Sequence, residues 1–182
     1  MFHRLALPPL NTVKYFEGKG NYAVMKYYRF PFSFFYRHKL KMVVKMMERG
    51  KIYRNILDFG AGEPQIFNKE LRRHAMHVHC ADTKEDINVT TKYDLIVCAS
   101  VLEFVWLKTT LPVLKIVLKP HGTMIVASPM STWFTHLYFK VIKDRAERHS
   151  HQEILSELTK YFNVVDFKSW LGLYFCCKVA PK

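Results

Sequence analysis

Hydrophobic positions in the first third of the chain repeat with helical spacing. Between Phe34 and Arg49 they recur three and four residues apart, which predicts a helix with one apolar face. The residues of that face are Tyr36, Leu40, Val43, Val44 and Met47. The opposite face carries Lys41, Lys45 and Arg49, and Gly50 is suited to end the helix.

After this helix the pattern changes to short uninterrupted apolar runs, which are typical of buried strands. The predicted strands are Asn55–Phe59, His77–Ala81, Tyr93–Ala99 and Thr123–Ala127. Helical segments separate them: one begins at Pro64, and another covers Leu102–Leu118 with a break near Pro112. This alternation predicts an α/β fold with a parallel sheet covered on both faces.

The last third of the chain follows a different plan. Ser131–Arg148 has the pattern of a helical insertion, and Ser150 with Glu153 matches a capping box that starts another helix. Two further strands, Val164–Trp170 and Tyr174–Val179, are joined by a turn too short for a parallel crossover. We therefore expect the chain to end in an antiparallel hairpin.

The net charge of the chain favours an anionic binding partner. The chain has 182 residues, of which 49% are apolar, and this suits one domain with a substantial core. Lys and Arg outnumber Asp and Glu by 28 to 15, and the formal charge of +13 favours nucleic acid, an acidic membrane surface or an anionic small molecule. No membrane-spanning run or signal peptide is evident, so a cytoplasmic protein is expected. The four cysteines lie in strand-like runs and are expected to be buried and reduced.

The first candidate site is the Gly-rich turn after the first predicted strand, Asp58-Phe59-Gly60-Ala61-Gly62. Glycines let a ligand approach the backbone, and the next helix would present unpaired N–H groups. The carboxylate of Asp58 would repel a phosphate but attract an ammonium group, which fits S-adenosylmethionine better than NAD. Asp82 ends the next strand, where nucleotide-binding folds place an acid against ribose hydroxyls. A tight turn and a solvated cap are the structural alternatives.

Two further segments make a family resemblance specific. Tyr93–Val105 contains a Tyr-Asp pair, an apolar strand, a small residue and the letters V-L-E-F, and Leu118–Ile125 reads L-K-P-H-G-T-M-I. With the Gly-rich turn, their order and spacing resemble class I S-adenosylmethionine-dependent methyltransferases, in particular small type 11-like domains. The resemblance covers Ile52–Val179. It implies a Rossmann-like, doubly wound, mostly parallel sheet with a C-terminal antiparallel hairpin, and S-adenosylmethionine as cofactor.

The same resemblance assigns roles to individual residues. The implied cofactor-binding residues are Asp58, Gly60 and Gly62 at the methionine end, Asp82 at the ribose, and Ser100 and Val101 at the crevice of the sheet. Two departures from the family pattern bear on this pocket. Pro64 stands in place of the third glycine and removes an N–H, and Phe104 stands in place of a histidine.

A third departure concerns the middle of the sheet. Only the eleven residues 83–93 separate Asp82 from Asp94, where the family normally fits a helix and a strand. The central βα unit is therefore expected to be shortened to the loop Thr83–Lys92. Asp86, in that loop, is the candidate for a contact with adenine.

Histidines supply the only catalytic candidates. His149 and His151 begin the capped helix, near the side where the fold takes its methyl acceptor, and either could act as a general base. Helix capping is the alternative, and the catalytic residue is otherwise unknown because the sulfonium already activates the methyl group. His77 and His79 share one strand face, but no acidic or Cys partner completes a set, so no metal site is predicted.

Residues 1–50 are expected to form an arm and an N-terminal helical cap, and residues 51–182 the methyltransferase domain. Aromatic and basic residues are interleaved in the arm: Tyr22, Lys26, Tyr27, Tyr28, Arg29, Phe30, Phe32, Phe34, Phe35, Tyr36, Arg37, Lys39, Lys41 and Lys45. This pattern suits a lid over the sheet, a membrane interface or a binding surface for single-stranded nucleic acid.

The sequence thus predicts methyl transfer from S-adenosylmethionine to a small-molecule or lipid acceptor, with weak contact to an acidic membrane surface. A nucleic-acid partner is less favoured because no RNA-binding module is recognisable, although the charge keeps an RNA methyltransferase as an alternative. The second alternative is a non-enzymatic binding protein that retains the fold, which Pro64 and the shortened unit would permit.

Overall fold

The computed structural model describes residues 32–61, 66–141 and 148–182, which form one six-stranded sheet with helices on both faces. The elements are α1 (Phe32–Met46), β1 (Tyr53–Phe59), α2 (Ile66–Leu71), β2 (Ala75–Ala81), β3 (Tyr93–Ala99), α3 (Leu107–Val117), β4 (Leu118–Pro129), α4 (Trp133–Val141), α5 (His151–Tyr161), β5 (Phe162–Trp170) and β6 (Tyr174–Pro181). Short 3-10 turns cover Lys84–Asp86 and Leu102–Phe104. Within those ranges no helix has both the length and the apolar character needed to cross a membrane.

The strand order is β2-β1-β3-β4-β6-β5, with the first four strands parallel and β6 antiparallel to both β4 and β5. The predicted doubly wound, mostly parallel sheet with a C-terminal antiparallel hairpin is therefore confirmed. The shortened central unit is confirmed as well, because only a loop with one 3-10 turn connects β2 to β3. Strand addition reverses direction between β1 and β3, and such a switch point opens a crevice at the carboxyl ends of the strands.

Two helices cover each face of the sheet, because every inner strand is apolar on both faces. On one face the shared core includes Leu111 and Leu114 of α3, Ile154 and Leu158 of α5, and Ile96 and Phe175 of the sheet. On the other face the core includes Val43 and Met46 of α1, Leu71 of α2, and Ile56, Val97 and Ile125 of the sheet. The helical cap expected at the N-terminus thus packs directly on the sheet.

The inward face of α1 differs from the predicted one. Met42 and Met46 are buried with Val43 and Met47, whereas Leu40 and Val44 are only half-buried. The apolar stripe is wider than the contact with the sheet, so packing decides which of its positions are covered. The predicted outer residues Lys41, Lys45 and Arg49 are exposed, as expected.

Two other expectations were wrong. The helix around Pro112 is not broken: α3 continues through the proline, whose missing N–H is outweighed by the burial of Leu111 and Leu114 against the sheet. Cys80 is exposed rather than buried, because β2 is an edge strand, although the other three cysteines are buried and free.

We expect Ser150→Ala to lower the free energy of unfolding by about 1 kcal/mol. The Ser150 hydroxyl accepts a hydrogen bond from the backbone N–H of Glu153 (3.2 Å), and the Glu153 carboxylate accepts one from the N–H of Ser150 (2.6 Å). Urea unfolding measures the loss. The control is Ser156→Ala at an exposed position of the same helix, which should not destabilise the protein. Equal losses in both variants would show that the cap contributes nothing.

Candidate functional site

Four of the predicted site positions meet at the carboxyl edge of the sheet. Gly60 follows β1, Asp82 follows β2, and Ser100 and Val101 follow β3. The register of the strands places them side by side, since the last residue of β1, Phe59, pairs with the end of both neighbouring strands. These positions flank the switch point, where doubly wound folds bind their ligands.

The turn at Gly60 is held in a conformation that favours glycine. Its φ is +76°, its N–H donates to the carbonyl of Ala81 (2.7 Å), and a Cβ placed on it would overlap Val101, with Cγ2 only 2.5 Å away. Val101 already holds the space beside the glycine, and it is itself buried.

Asp58 is a buried residue near the end of β1, two positions before Gly60. Its exposed fraction is 1%, and among the described residues no donor reaches Oδ2. Burial, together with the nearby Asp82, raises the pKa of Asp58 to about 7. An unsatisfied buried carboxylate oxygen is costly, and a ligand ammonium group would supply the missing donor. The residue thus fits the role that the resemblance implies.

Asp82 is exposed at the end of β2, in reach of solvent and of a ligand in the crevice. Asp86 lies in the 3-10 turn that follows, and its carboxylate accepts hydrogen bonds from the N–H and the hydroxyl of Thr83 (3.0 and 2.8 Å). Asp86 thus stabilises the 3-10 turn. A contact between Asp86 and adenine stays a prediction. Gly62 and Pro64 lie outside the described residues.

Ser100 has an unusual backbone conformation for a residue with a side chain. Its φ is +60°, and its N–H donates to the carbonyl of Ala127 (2.7 Å) at the end of β4. A non-glycine residue in this region costs of order 1–3 kcal/mol, and such strain is concentrated at functional sites. The Ser100 hydroxyl accepts a hydrogen bond from Lys39 Nζ (2.5 Å), so α1 reaches the carboxyl edge.

Sequence reasoning missed Lys39 and Glu103, two residues whose charges attract each other near this edge. Glu103 is 3% exposed, and its carboxylate accepts a hydrogen bond from Ser128 (2.8 Å). Burial lowers the pKa of Lys39 against the attraction of Glu103, and burial raises the pKa of Glu103 against the attraction of Lys39. With Ser100 and Ser128 they form a polar cluster beneath the carboxyl edge, of which Glu103 and Ser128 are buried.

A signal for this pair was present in the sequence. Lys39 stands three and four residues before Met42 and Val43, so it continues the buried stripe of α1 as its single charged member. Glu103 stands inside an apolar run, Val101–Val105, where a carboxyl group needs a partner. Neither observation identifies the other residue, because the attraction acts between segments far apart in the chain.

The two catalytic candidates have structural contacts. His149 donates its backbone N–H to the carbonyl of Glu103 (2.9 Å), and its Nε2 lies 3.1 Å from the carbonyl of Val105. His151 Nδ1 accepts the N–H of Ser131 (2.9 Å), and burial lowers the pKa of this histidine. These contacts tie the start of α5 to the carboxyl edge, as the sequence predicted, while a general-base role for either ring stays a prediction.

The sequence matches no protein-family model and no curated protein. The fold does match solved structures. The N-methyltransferase NodS from Bradyrhizobium japonicum, in complex with S-adenosyl-L-homocysteine, is 15% identical over 80% of this chain and 86% of its own, with a TM-score of 0.62. A Thermotoga maritima S-adenosylmethionine-dependent methyltransferase, described as a possible histamine N-methyltransferase, is 17% identical over 93% and 99%, with a TM-score of 0.61. A TehB-like methyltransferase from Corynebacterium glutamicum is 14% identical over 79% and 87%, with a TM-score of 0.52.

The structural neighbours are thus S-adenosylmethionine-dependent methyltransferases, and this chain has their fold. The fold resemblance read from the sequence is confirmed.

Proposed function

We propose that the protein is a methyltransferase that transfers a methyl group from S-adenosylmethionine to a small-molecule or lipid acceptor. The observation that carries the proposal is the buried carboxyl group of Asp58 beside the switch point, with an oxygen that lacks a donor among the described residues. A cofactor with an ammonium group completes this site, whereas a phosphate would be repelled by it.

The chain offers a partner for each end of the cofactor. Asp58 would hold the ammonium group, the backbone at Gly60 would allow close approach, and Asp82 would accept hydrogen bonds from the ribose. When bound, the cofactor supplies a methyl group activated by the positive sulfonium. The residues therefore have to bind and align the reactants rather than activate them.

The acceptor would enter from the α1 side of the edge. Lys39 and Ser100 lie half-buried on that side, so the acceptor would meet hydrogen-bonding groups. An amine or hydroxyl acceptor suits this lining, because both groups can form hydrogen bonds before they attack the methyl group. The N-methyltransferases among the structural neighbours are compatible with it.

One observation favours a second function, that of a non-enzymatic binding protein. Among the residues that the structure describes, no βα unit lies beyond β2 to support an adenine ring. Calorimetric titration with S-adenosylmethionine separates the two functions. Saturable binding supports the methyltransferase, and the absence of binding at millimolar cofactor would leave the binding protein.

We expect Asp82→Ala to weaken binding of S-adenosylmethionine about 10- to 100-fold, because a charge-assisted hydrogen bond to ribose is worth ~1.5–3 kcal/mol. The matched control is Glu85→Ala, which removes the same charge from an exposed position of the same loop. Calorimetry on both variants gives the two affinities. An equal loss in the two variants would mean that the effect is one of general charge and that Asp82 does not contact the cofactor.

A further inference from the structure

Four large apolar side chains at the carboxyl edge are about half exposed or more. They are Trp133, Phe134 and Leu137 of α4 and Leu171 in the turn between β5 and β6, with exposed fractions of 66%, 49%, 52% and 69%. We call them the apolar tip. The rings of Trp133 and Phe134 stack on each other with centroids 3.6 Å apart. Exposed clusters of this kind mark interaction sites in soluble domains.

Hydrogen bonds hold the two parts of the apolar tip together. The hydroxyl of Thr132, just before α4, donates to the carbonyl of Gly172 (2.6 Å), and the N–H of Met130 donates to the carbonyl of Leu173 (3.0 Å). The hydroxyl of Thr135 lies 3.3 Å from the same two turn carbonyls. The tip is therefore a fixed surface of the fold.

The turn at Leu171 has a residue that its own geometry disfavours. The φ values of Leu171 and Gly172 are +49° and +65°, and the N–H of Leu173 donates to the carbonyl of Trp170 (2.9 Å), as in a type I′ turn. Such turns prefer Asn before Gly, and a leucine there is strained. Because Leu171 is also the most exposed residue of the tip, neither turn geometry nor packing accounts for it, which points to a role in binding.

The segments that carry the apolar tip are basic. The described residues 128–141 and 167–174 contain Lys140 and Lys168 and no Asp or Glu. Lys140 is exposed, whereas Lys168 pairs with Asp166. Protein interfaces are depleted in lysine, while membrane-binding surfaces combine tryptophan, phenylalanine and leucine with basic residues. The formal charge of +13 adds a long-range attraction to an anionic surface.

The apolar tip and the cofactor crevice lie at the same edge of the sheet. The end of β4 at Pro129 pairs with Tyr174, next to the turn, and Ala127 pairs with the end of β3 at Ala99. A flat surface that meets the tip would therefore also face the carboxyl edge.

We propose that the apolar tip docks on an anionic lipid bilayer, with Trp133 and Leu171 inserted at the headgroup level and the basic residues on the lipid phosphates. This docking does not require that the protein transfers methyl groups. The further inference that the methyl acceptor is a lipid rests on the proposed function.

The test is co-sedimentation of the full chain with phosphatidylcholine vesicles and with vesicles that also contain phosphatidylserine. We expect binding to the acidic vesicles that decreases with salt. Leu171→Asn and Trp133→Ser should each weaken binding about tenfold, since each replaces an apolar side chain that would be buried in the bilayer. The matched control is Ile116→Ser: Ile116 is 62% exposed, and it lies at the opposite edge of the sheet, where α3 leads into β4.

Leu171→Asn also separates docking from folding, because Asn-Gly is the preferred type I′ pair and the variant should melt no lower than the wild type. The proposal is overturned if the wild type does not bind acidic vesicles, or if both tip variants bind as well as it does. It is also overturned if Ile116→Ser weakens binding equally, or if light scattering shows a dimer that Leu171→Asn dissociates. Cofactor titration of the same samples reports independently on the proposed function.

Discussion

Replacing Gly60 by alanine is expected to lower the free energy of unfolding by ~2–5 kcal/mol, the largest effect we expect from any single methyl group in this chain. Two costs add. A left-handed φ of +76° strains any residue with a Cβ by about 1–2 kcal/mol, and the new atom must displace Val101, for a further 1–3 kcal/mol.

Gly50 provides a matched control for this prediction. Its φ is +74°, nearly that of Gly60, but a Cβ there would meet nothing within 4 Å. Gly50→Ala therefore carries the backbone strain alone, and the difference between the two variants measures the overlap with Val101. Urea unfolding at one temperature gives both values.

The outcome bears on the cofactor pocket. If Gly60→Ala is no more destabilising than Gly50→Ala, Val101 moves aside easily, and the space beside Gly60 is available to a ligand. If the difference is as large as expected, Val101 is a fixed wall of the crevice, and the methionine end of the cofactor must lie over the turn rather than beside the glycine.

The order of the elements could be predicted from the sequence because each inner strand is a short apolar run between polar segments. The bounds Tyr93–Ala99 were predicted correctly, since a short run that is apolar on both faces is typical of a buried strand. The capping box at Ser150 fixed the start of α5 in the same way. The inward face of α1 was less predictable. Its apolar stripe is wider than its contact with the sheet, so the sequence does not show which apolar positions are buried.

The grouping of Asp58, Gly60, Asp82 and Ser100 was also predictable. Parallel strands end at one edge, so residues that follow successive strands must meet there once the strand order is known. The contact between Lys39 and Ser100 was not predictable, because it depends on the angle at which α1 crosses the sheet. The same holds for the packing of Val101 on Gly60, which depends on the path of a loop.

The protonation of Asp58 could not be deduced from the sequence either. An Asp before a glycine turn is compatible with a solvated carboxylate, and only the fold reveals that it is 1% exposed and close to Asp82. The carboxyl end of β1 is thus a place where the chain accepts a cost in its own stability. Such a cost is expected where a ligand provides the compensation.

Replacing Asp58 by asparagine should therefore stabilise the protein in a way that depends on pH. Burial, and then Asp82, raise the pKa of Asp58 from 3.8 to about 7. The folded state thus keeps a proton that the unfolded state loses above pH 4. This contribution to stability is fully present below the unfolded pKa and is lost as pH rises to about 7, for a total of ~4 kcal/mol. Asparagine does not titrate. The free energy of unfolding of the variant, relative to that of the wild type, should therefore increase by ~4 kcal/mol between pH 4 and pH 8.

The measurement is urea unfolding of both proteins across that pH range. The result is how the difference between their free energies of unfolding changes with pH. Any constant offset from the new amide cancels. Asp82→Asn is the control: it removes the second cause of the shift and should leave most of the pH dependence in place. A difference that stays constant with pH would mean that Asp58 is already ionised in the folded protein.

The same proton links Asp58 to the cofactor. An ammonium group on the ligand favours the ionised carboxylate, so binding of S-adenosylmethionine should release a proton below pH 7. Affinity should then rise up to tenfold per pH unit toward neutrality, whereas Asp58→Asn should bind weakly at every pH. Calorimetry in two buffers of different ionisation enthalpy counts the proton directly. If the affinity of the wild type is as flat with pH as that of the variant, the ammonium group does not bind Asp58.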